Sequence, residues 1–324
     1  MKKRSIACCV LGALALVPWV AFSQAEWSPS KPVRMVVPVA GTTNDVIARE
    51  VAAKLGPALG QPVVVENRPG AGGNIGADLV AKAVPDGQTI LVGYNGPIAI
   101  NRSLFEKMPF DPLKDFTPIS LAVTAPQYLV VSPTLKVNSV KELVDYAKKN
   151  PGQLSYGSIG PGSASHLTME MFKAAAHIDM VHVPYKGSGA VITDLVAGNV
   201  KVAFLVPGNV QQFVKDGRLK VIGTSGAQRF HSTPDVPTLQ EAGYAGFIAT
   251  SWVGFLAPAN IPKPVLSRYH AEITRILNTP EVKQKLQGME FEVVASTPEQ
   301  FQDWIRADAA RWEKVVRSAN VKLE

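Results

Sequence analysis

The chain is nearly without cysteine. Its only two, Cys8 and Cys9, sit in an apolar run at the extreme N-terminus, so the rest carries no thiol nucleophile, no thiolate metal ligand and no disulfide framework. Basic clusters are missing too: the Lys and Arg residues are scattered, with no run of five or more, which argues against a nucleic-acid partner. The five histidines, at 166, 177, 182, 231 and 270, show no metal-ligand spacing. There is no G-x-S-x-G nucleophile elbow. His166 follows Ser165 directly, but neighbours at a helix start diverge and do not make a nucleophile–base pair. No catalytic residue, metal site or cofactor is expected, and the chain reads as a binding protein rather than an enzyme.

A leader is present. Lys2, Lys3 and Arg4 precede an apolar run from Ile6 to Phe22, and small residues at Ser23 and Ala25 close it. This pattern predicts a secretory signal peptide over 1–25, cut before Glu26, and a periplasmic address. Cys8 lies too early to be a lipid-attachment site. Removing the leader takes three of the 33 basic residues and leaves all 26 acidic ones, so the net charge falls from +7 to +4. A mild positive balance suits small anionic ligands.

Short β-rich runs alternate with amphipathic runs after the leader. Strands are expected at 33–39, 62–67 and 89–94, with helices at 45–59 and 74–84; this βαβαβ order implies a parallel sheet covered by helices. A loop is expected over 107–120. A second set follows, with strands at 127–133, 154–159, 180–185 and 200–206 and helices at 139–150, 164–176 and 190–198. Ser139 and Glu142 make a capping box at one helix start. The run 251–258 reads as a strand returning to the first sheet, and two terminal helices follow, the second opened by Thr297, Pro298 and Gln300. The simplest packing of this order is α/β: two domains, the first interrupted by the second, each a mainly parallel sheet flanked by helices. Domain 1 takes 26–124 plus 250–324, domain 2 takes 125–249, and a cleft lies between them.

"ENRPGAGGNIGADLV" (66–80) has the composition of a phosphate loop. It nevertheless follows the second strand, its spacing is G-x-G-G-x-x-G, and Asp78 and Asp86 are too close to hold a ribose. It also lacks the Lys-Ser/Thr pair of a P-loop. A tight strand-to-helix turn is the better reading.

Two other loops suit an anion. "PVAGTTND" (38–45) ends at a helix start, where Gly41, Thr42, Thr43 and Asn44 offer N–H and hydroxyl donors and Asn44 or Asp45 is placed to cap. Asp45, being anionic, would cap the helix or hold water rather than touch a carboxylate. "GSIGPGSASHL" (157–167) offers Ser158, Ser163, Ala164 and Ser165 in the same way. In open α/β sheets ligands sit at the carboxyl ends of strands, so the two loops would face one ligand. Tyr94, Tyr185 and Trp252, near predicted strand ends, would line the pocket or pack in the core.

Several long segments in the right order carry a resemblance: "VVVENRPGAGGNIGADLVAKAVPDGQTILVG", "DFTPIS", "MVHVPYKGSGAVITDLVAGNV", "PDVPTLQEAGYAGF" and "SWVGFLAPANIPKPV". Over nearly all its length beyond the leader, the chain resembles the periplasmic solute-binding proteins of tripartite tricarboxylate transporters, the Bug family. The resemblance implies a Venus flytrap that holds a small carboxylate through backbone N–H groups and hydroxyls of the two loops above. It implies membrane transporter subunits as partners, and proteins of this shape usually act as monomers. The chain departs from the family pattern at two places. "VAGTTND" is a residue shorter, with Gly41 its single glycine. "VKVAFLVPGN" puts Leu205 and Val206 where many relatives read V-D-L-M-F-D-N. Leu205 in place of a pocket carboxylate predicts a ligand with an apolar middle, such as the aromatic dicarboxylate terephthalate. The rival readings are a sensing partner of a signalling receptor, which would use the same closed surface, and a periplasmic hydrolase or lyase.

Overall fold

The computed structural model describes residues 27–319 and 321; the expected leader lies outside them. The chain runs through β1 (Val33–Val37), α1 (Thr43–Leu59), β2 (Val63–Asn67), α2 (Asn74–Ala81) and β3 (Thr89–Tyr94). A π-helical turn, Gly96–Ile100, passes into α3 (Asn101–Leu104), and β4 (Phe116–Pro126) follows. Next come β5 (Tyr128–Val131), α4 (Val140–Lys149), β6 (Ser155–Ser158), α5 (Ala164–Ala176) and β7 (Val181–Pro184). Then α6 (Ser188–Ala197), β8 (Val202–Leu205), α7 (Pro207–Lys215) and β9 (Lys220–Thr224) lead to β10 (Thr250–Pro258). α8 (Lys263–Leu277), α9 (Pro280–Gly288), β11 (Glu292–Val293) and α10 (Pro298–Ala319) complete the chain.

Two sheets form, in the orders β11-β4-β10-β3-β1-β2 and β7-β6-β8-β5-β9. β10 lies between β4 and β3, so the 251–258 run does return to the first sheet. The sheets are mixed rather than mainly parallel. β1, β2 and β3 pair parallel, as do β6, β7 and β8, whereas the ladders of β4, β5, β9, β10 and β11 are antiparallel, apart from an isolated parallel bridge from Thr224 of β9 to Thr238. The physical reason is the crossover. The chain leaves one sheet through β4 and β5 and comes back through β9 and β10, and outward and returning strands lying side by side must run in opposite directions. One residue, Gln127, separates β4 from β5. Buried Ser225 ties the two crossings together: its Oγ accepts from Gln127 N–H at 2.8 Å and donates to Ala249 O at 2.5 Å.

Other differences have local causes. β4 begins at Phe116, inside the expected 107–120 loop. Pro118, which reads as a strand breaker, faces Leu256 beside a register shift, where a missing ladder N–H is tolerated. Helices α7 and α9 are additional to those expected; each has a proline at its first position, Pro207 and Pro280, as α10 has Pro298. Three helices therefore follow β10, not two. Glu142 N–H donates to Ser139 Oγ at 3.1 Å, though its carboxylate reaches back one residue further, to Asn138 N–H at 2.8 Å, and Thr297 and Gln300 exchange bonds at 3.2 and 3.0 Å.

Ile47, Val51 and Leu55 of α1 pack with Tyr269 and Ile273 of α8 on one side of the first sheet. On its other side Phe301, Ile305 and Trp312 of α10 join a core that continues through Phe172 and Phe204 into the second sheet. Among the described residues no helix is long and apolar enough to cross a membrane.

Candidate ligand-binding cleft

The glycine-rich turn between β2 and α2 is a packing device. Gly70, Ala71, Gly72 and Gly73 all have positive φ, a run that side chains other than glycine's adopt at a cost. Gly72 O accepts from Tyr94 Oη and from Asn101 Nδ2, both at 3.1 Å. A Cβ on Gly73 would come within 2.6 Å of that Tyr94 hydroxyl. Burial pushes the Tyr94 phenol well above its ordinary pKa, so it stays a neutral donor.

Between the two sheets lies a cleft of about 880 Å³. Four helices begin on its walls: the N-cap residues Thr42 of α1, Ser163 of α5, Gly187 of α6 and Val206 of α7 all line it. Among the described residues no charged side chain and no histidine does so. With no charged group on the wall, the helix N-termini are what this cleft presents to an anion. The remaining wall is largely apolar, with Val39, Ile100, Phe105, Trp252 and Phe291.

Of the residues singled out in the sequence, Gly41, Thr42, Thr43, Asn44, Tyr94, Ser163, Ala164 and Trp252 line the cleft. At α1 the N–H groups of Asp45 and Val46 return to Thr42 O at 3.1 and 3.2 Å, which leaves those of Thr43 and Asn44 at the helix mouth. Five expected residues lie elsewhere. Asp45 is not the cap, which is Thr42; its carboxylate accepts from Asn67 Nδ2 at 2.8 Å and from Arg49. Burial raises the Asp45 pKa, but the Asn67 and Arg49 bonds outweigh it and hold the carboxyl below its usual range. Ser158 is fully buried with its Oγ 2.7 Å from His182 Nε2, and buried Ser165 accepts from Ile159 N–H at 3.0 Å. Tyr185 turns to Asp194, donating at 2.6 Å. Leu205 sits in the core with Tyr128, Val191 and Leu195. One residue on, the chain side reverses, and Val206 takes the cleft position assigned to Leu205.

The sequence reading missed Asn95, Asn101, Ser188 and Asn209, all on the walls. Ser188 and Asn209 had a usable signal: each follows a glycine or proline at a strand-to-helix junction. Asn95 and Asn101 flank a π-helical turn that no local pattern announces.

The second-domain loop is held from beneath. Gly162 N–H donates to His166 Nδ1 at 3.0 Å, and Ser163 Oγ donates to Gly160 O at 2.6 Å. His166 stacks on His182 with centroids 4.0 Å apart, and His182 on Tyr156 at 4.9 Å. Burial, aided by the neighbouring His182, pushes the His166 pKa down to about 4, so its Nδ1 is free to accept.

The chain matches the model of the tripartite tricarboxylate transporter family receptor over residues 47–321. It belongs to that receptor family. The receptor is 34% identical to Protein BugT of Bordetella pertussis over 302 residues, 93% of each chain. It also resembles R. palustris Rpa4515 solved with adipate, with a TM-score of 0.81 and 34% identity over 91% of this chain and 99% of that one. MatC of Rhodopseudomonas palustris, solved with bound malate, aligns with a TM-score of 0.77 and 32% identity over 89% and 99%. The chain is thus a periplasmic solute-binding receptor with the fold of those proteins.

Proposed function

We propose that the receptor captures a small carboxylate in this cleft and delivers it to the membrane subunits of a tripartite transporter. One observation carries the reading: four helix N-termini meet at a cleft that, among the described residues, no charged side chain lines. An anion there is held by N–H groups and dipoles without a competing carboxylate. The carboxylate head sits against Thr42, Thr43 and Asn44 on one wall and Ser163 and Ala164 on the other. The body lies along Val39, Val46, Phe105 and Ile159, which favours an aromatic dicarboxylate such as terephthalate over a compact one. The relatives solved with adipate and malate support a carboxylate of either length. Domains of 26–124 plus 250–324 and 125–249, a monomer, and secretion by the 1–25 leader complete the proposal. Hydrolysis finds no support in the Ser158–His182 pair, since Ser158 is fully buried and its Oγ also faces Gly160 O at 3.2 Å.

The test is a thermal-shift screen of residues 26–324, unfolded and refolded to strip carried-over ligand, against terephthalate, adipate, malate, citrate and amino acids. A ligand at about 100 times its Kd adds about 2.7 kcal/mol, a rise of several degrees. Terephthalate is expected to give the largest shift. Response to compact hydroxy- or amino-dicarboxylates alone would sink the apolar-body reading, and a flat panel would sink the carboxylate reading.

A further inference from the structure

The tight turn at 70–73 accounts for the glycines of the 66–80 segment but not for its second residue. Asn67 ends β2, opposite Val37 in the sheet register, one residue short of the β1-to-α1 loop. Its amide spans that loop from behind. Nδ2 donates to Val39 O and to Asp45 Oδ1, both at 2.8 Å, and Oδ1 accepts from Arg49 Nη2 at 3.0 Å. Val39 stands at the start of the loop, and Asp45 lies in the first turn of α1 at its end. Arg49 closes the cluster, reaching Asp45 Oδ1 at 3.1 Å and Oδ2 at 3.2 Å.

The chemistry of that amide is specific. Both of its hydrogens meet acceptors and its oxygen meets a guanidinium, so every face of the group is used. Aspartate has the same shape, but it lacks the two donors and would set a second charge against Asp45. Between the two anchors the loop has little else to hold it. Asp45 and Val46 N–H return to Thr42 O, which closes the first helical turn without tying it to the sheet. At the tip, Gly41 has φ +63° and a Cβ there would meet nothing within 4 Å. Val39, Gly41, Thr42, Thr43 and Asn44 line the cleft, whereas Asn67 does not.

We propose that Asn67 is the positioning residue of the first anion loop, clamping Val39 to Asp45 so that the N–H groups of Thr43 and Asn44 and the threonine hydroxyls stand in place before a carboxylate arrives. This rests on the carboxylate reading above. A loop ordered before binding spares the ligand the cost of ordering it. The glycine-rich segment thus serves the anion site without touching the anion, by supporting the loop next to it.

The experiment combines amide hydrogen exchange of the unliganded receptor with calorimetry on terephthalate and adipate, for wild type, Asn67→Leu, Asp45→Ala and the double variant. Asn67→Leu keeps the approximate size of the side chain and removes its three bonds. It is expected to speed exchange in peptides covering 38–46, to leave the 157–167 loop of the other wall unchanged, and to weaken whichever dicarboxylate binds about tenfold. Asp45→Ala is expected to act in the same direction and to add little in the Asn67→Leu background, because both cut one network. Exchange that speeds across the whole first sheet, or additive losses of affinity in the double variant, overturns the proposal and leaves Asn67 a structural group. If Asn67→Leu does not fold, Asp45→Ala cuts the same clamp from the α1 side and carries the same expectation. Failure of the wild-type receptor to bind either dicarboxylate overturns the carboxylate reading and this one with it; binding with unchanged affinity in the variants overturns this one alone.

Discussion

Two turns of similar composition face each other across the cleft, and they are built in opposite ways. In the β1-to-α1 turn the hydroxyls of Thr42 and Thr43 and the amide of Asn44 make no hydrogen bond to the described residues, and Thr42 caps its helix without a side-chain bond. In the β6-to-α5 turn the side chains already have partners. Ser163 Oγ accepts from His166 N–H at 3.3 Å, binds Gly160 O and meets Ser165 Oγ at 3.0 Å. The first turn thus offers hydroxyls to a ligand, while the second offers a fixed shape and the Ala164 N–H, the N–H groups of Ile159, Gly160, Gly162 and Ser163 being already bonded within the turn. Serine and threonine beside glycine do not by themselves say which role applies. The atoms behind the turn decide it.

The largest expected effect tests how the second turn is supported. With its pKa lowered from 6.5 to about 4, His166 stays neutral in the native state over a range where the unfolded chain takes up a proton. Stability from this group is full above pH 6.5 and is lost as pH falls toward 4, by about 3 kcal/mol across that window. Urea unfolding at pH 7 and pH 4.5 measures the loss, and His166→Gln is expected to flatten it. A profile unchanged in His166→Gln would mean the imidazole does not support the turn.

The next effect lies on the other wall. Thr43→Val keeps the shape of the side chain and removes its hydroxyl. If that hydroxyl meets the carboxylate, affinity falls by about 1.5–3 kcal/mol, roughly ten- to hundredfold, while the unliganded Tm holds. Calorimetry with the carboxylate that gives the largest thermal shift measures it. Ser163→Ala should show the reverse, with stability down by about 1 kcal/mol through the lost cap and affinity changed by no more than about threefold. Should Ser163→Ala weaken binding more than Thr43→Val does, the contrast between the turns collapses.

Much of the fold was legible in the sequence because its signals are local. Helix α5 occupies 164–176 as expected, and its N-cap Ser163 is visible in "GSASHL". The strands of the βαβαβ opening announce themselves as apolar runs between turns. β4 did not, because Pro118 is tolerated only thanks to a register shift opposite Leu256, a property of the partner strand. The site was half legible. Helix starts at strand ends are readable, so Thr42, Thr43 and Ser163 were found. Leu205 and Val206 differ by one position and by which side of the chain faces water, and a resemblance that aligns segments does not resolve that.

The sequence by itself determined the two-set order of strands and helices, the caps at Ser139 and Thr297, and the tight turn at 70–73, because each depends on residues within a few positions of one another. Its spacing also marked 66–80 as a tight turn, and that turn is what forms there. Tertiary structure alone decided that four helix N-termini meet at one cleft, that Ser158 and Ser165 are used up inside the loop, and that Asn67 reaches back 22 residues to hold Asp45. Those facts depend on which distant groups come within hydrogen-bond reach, and local pattern carries no record of that distance.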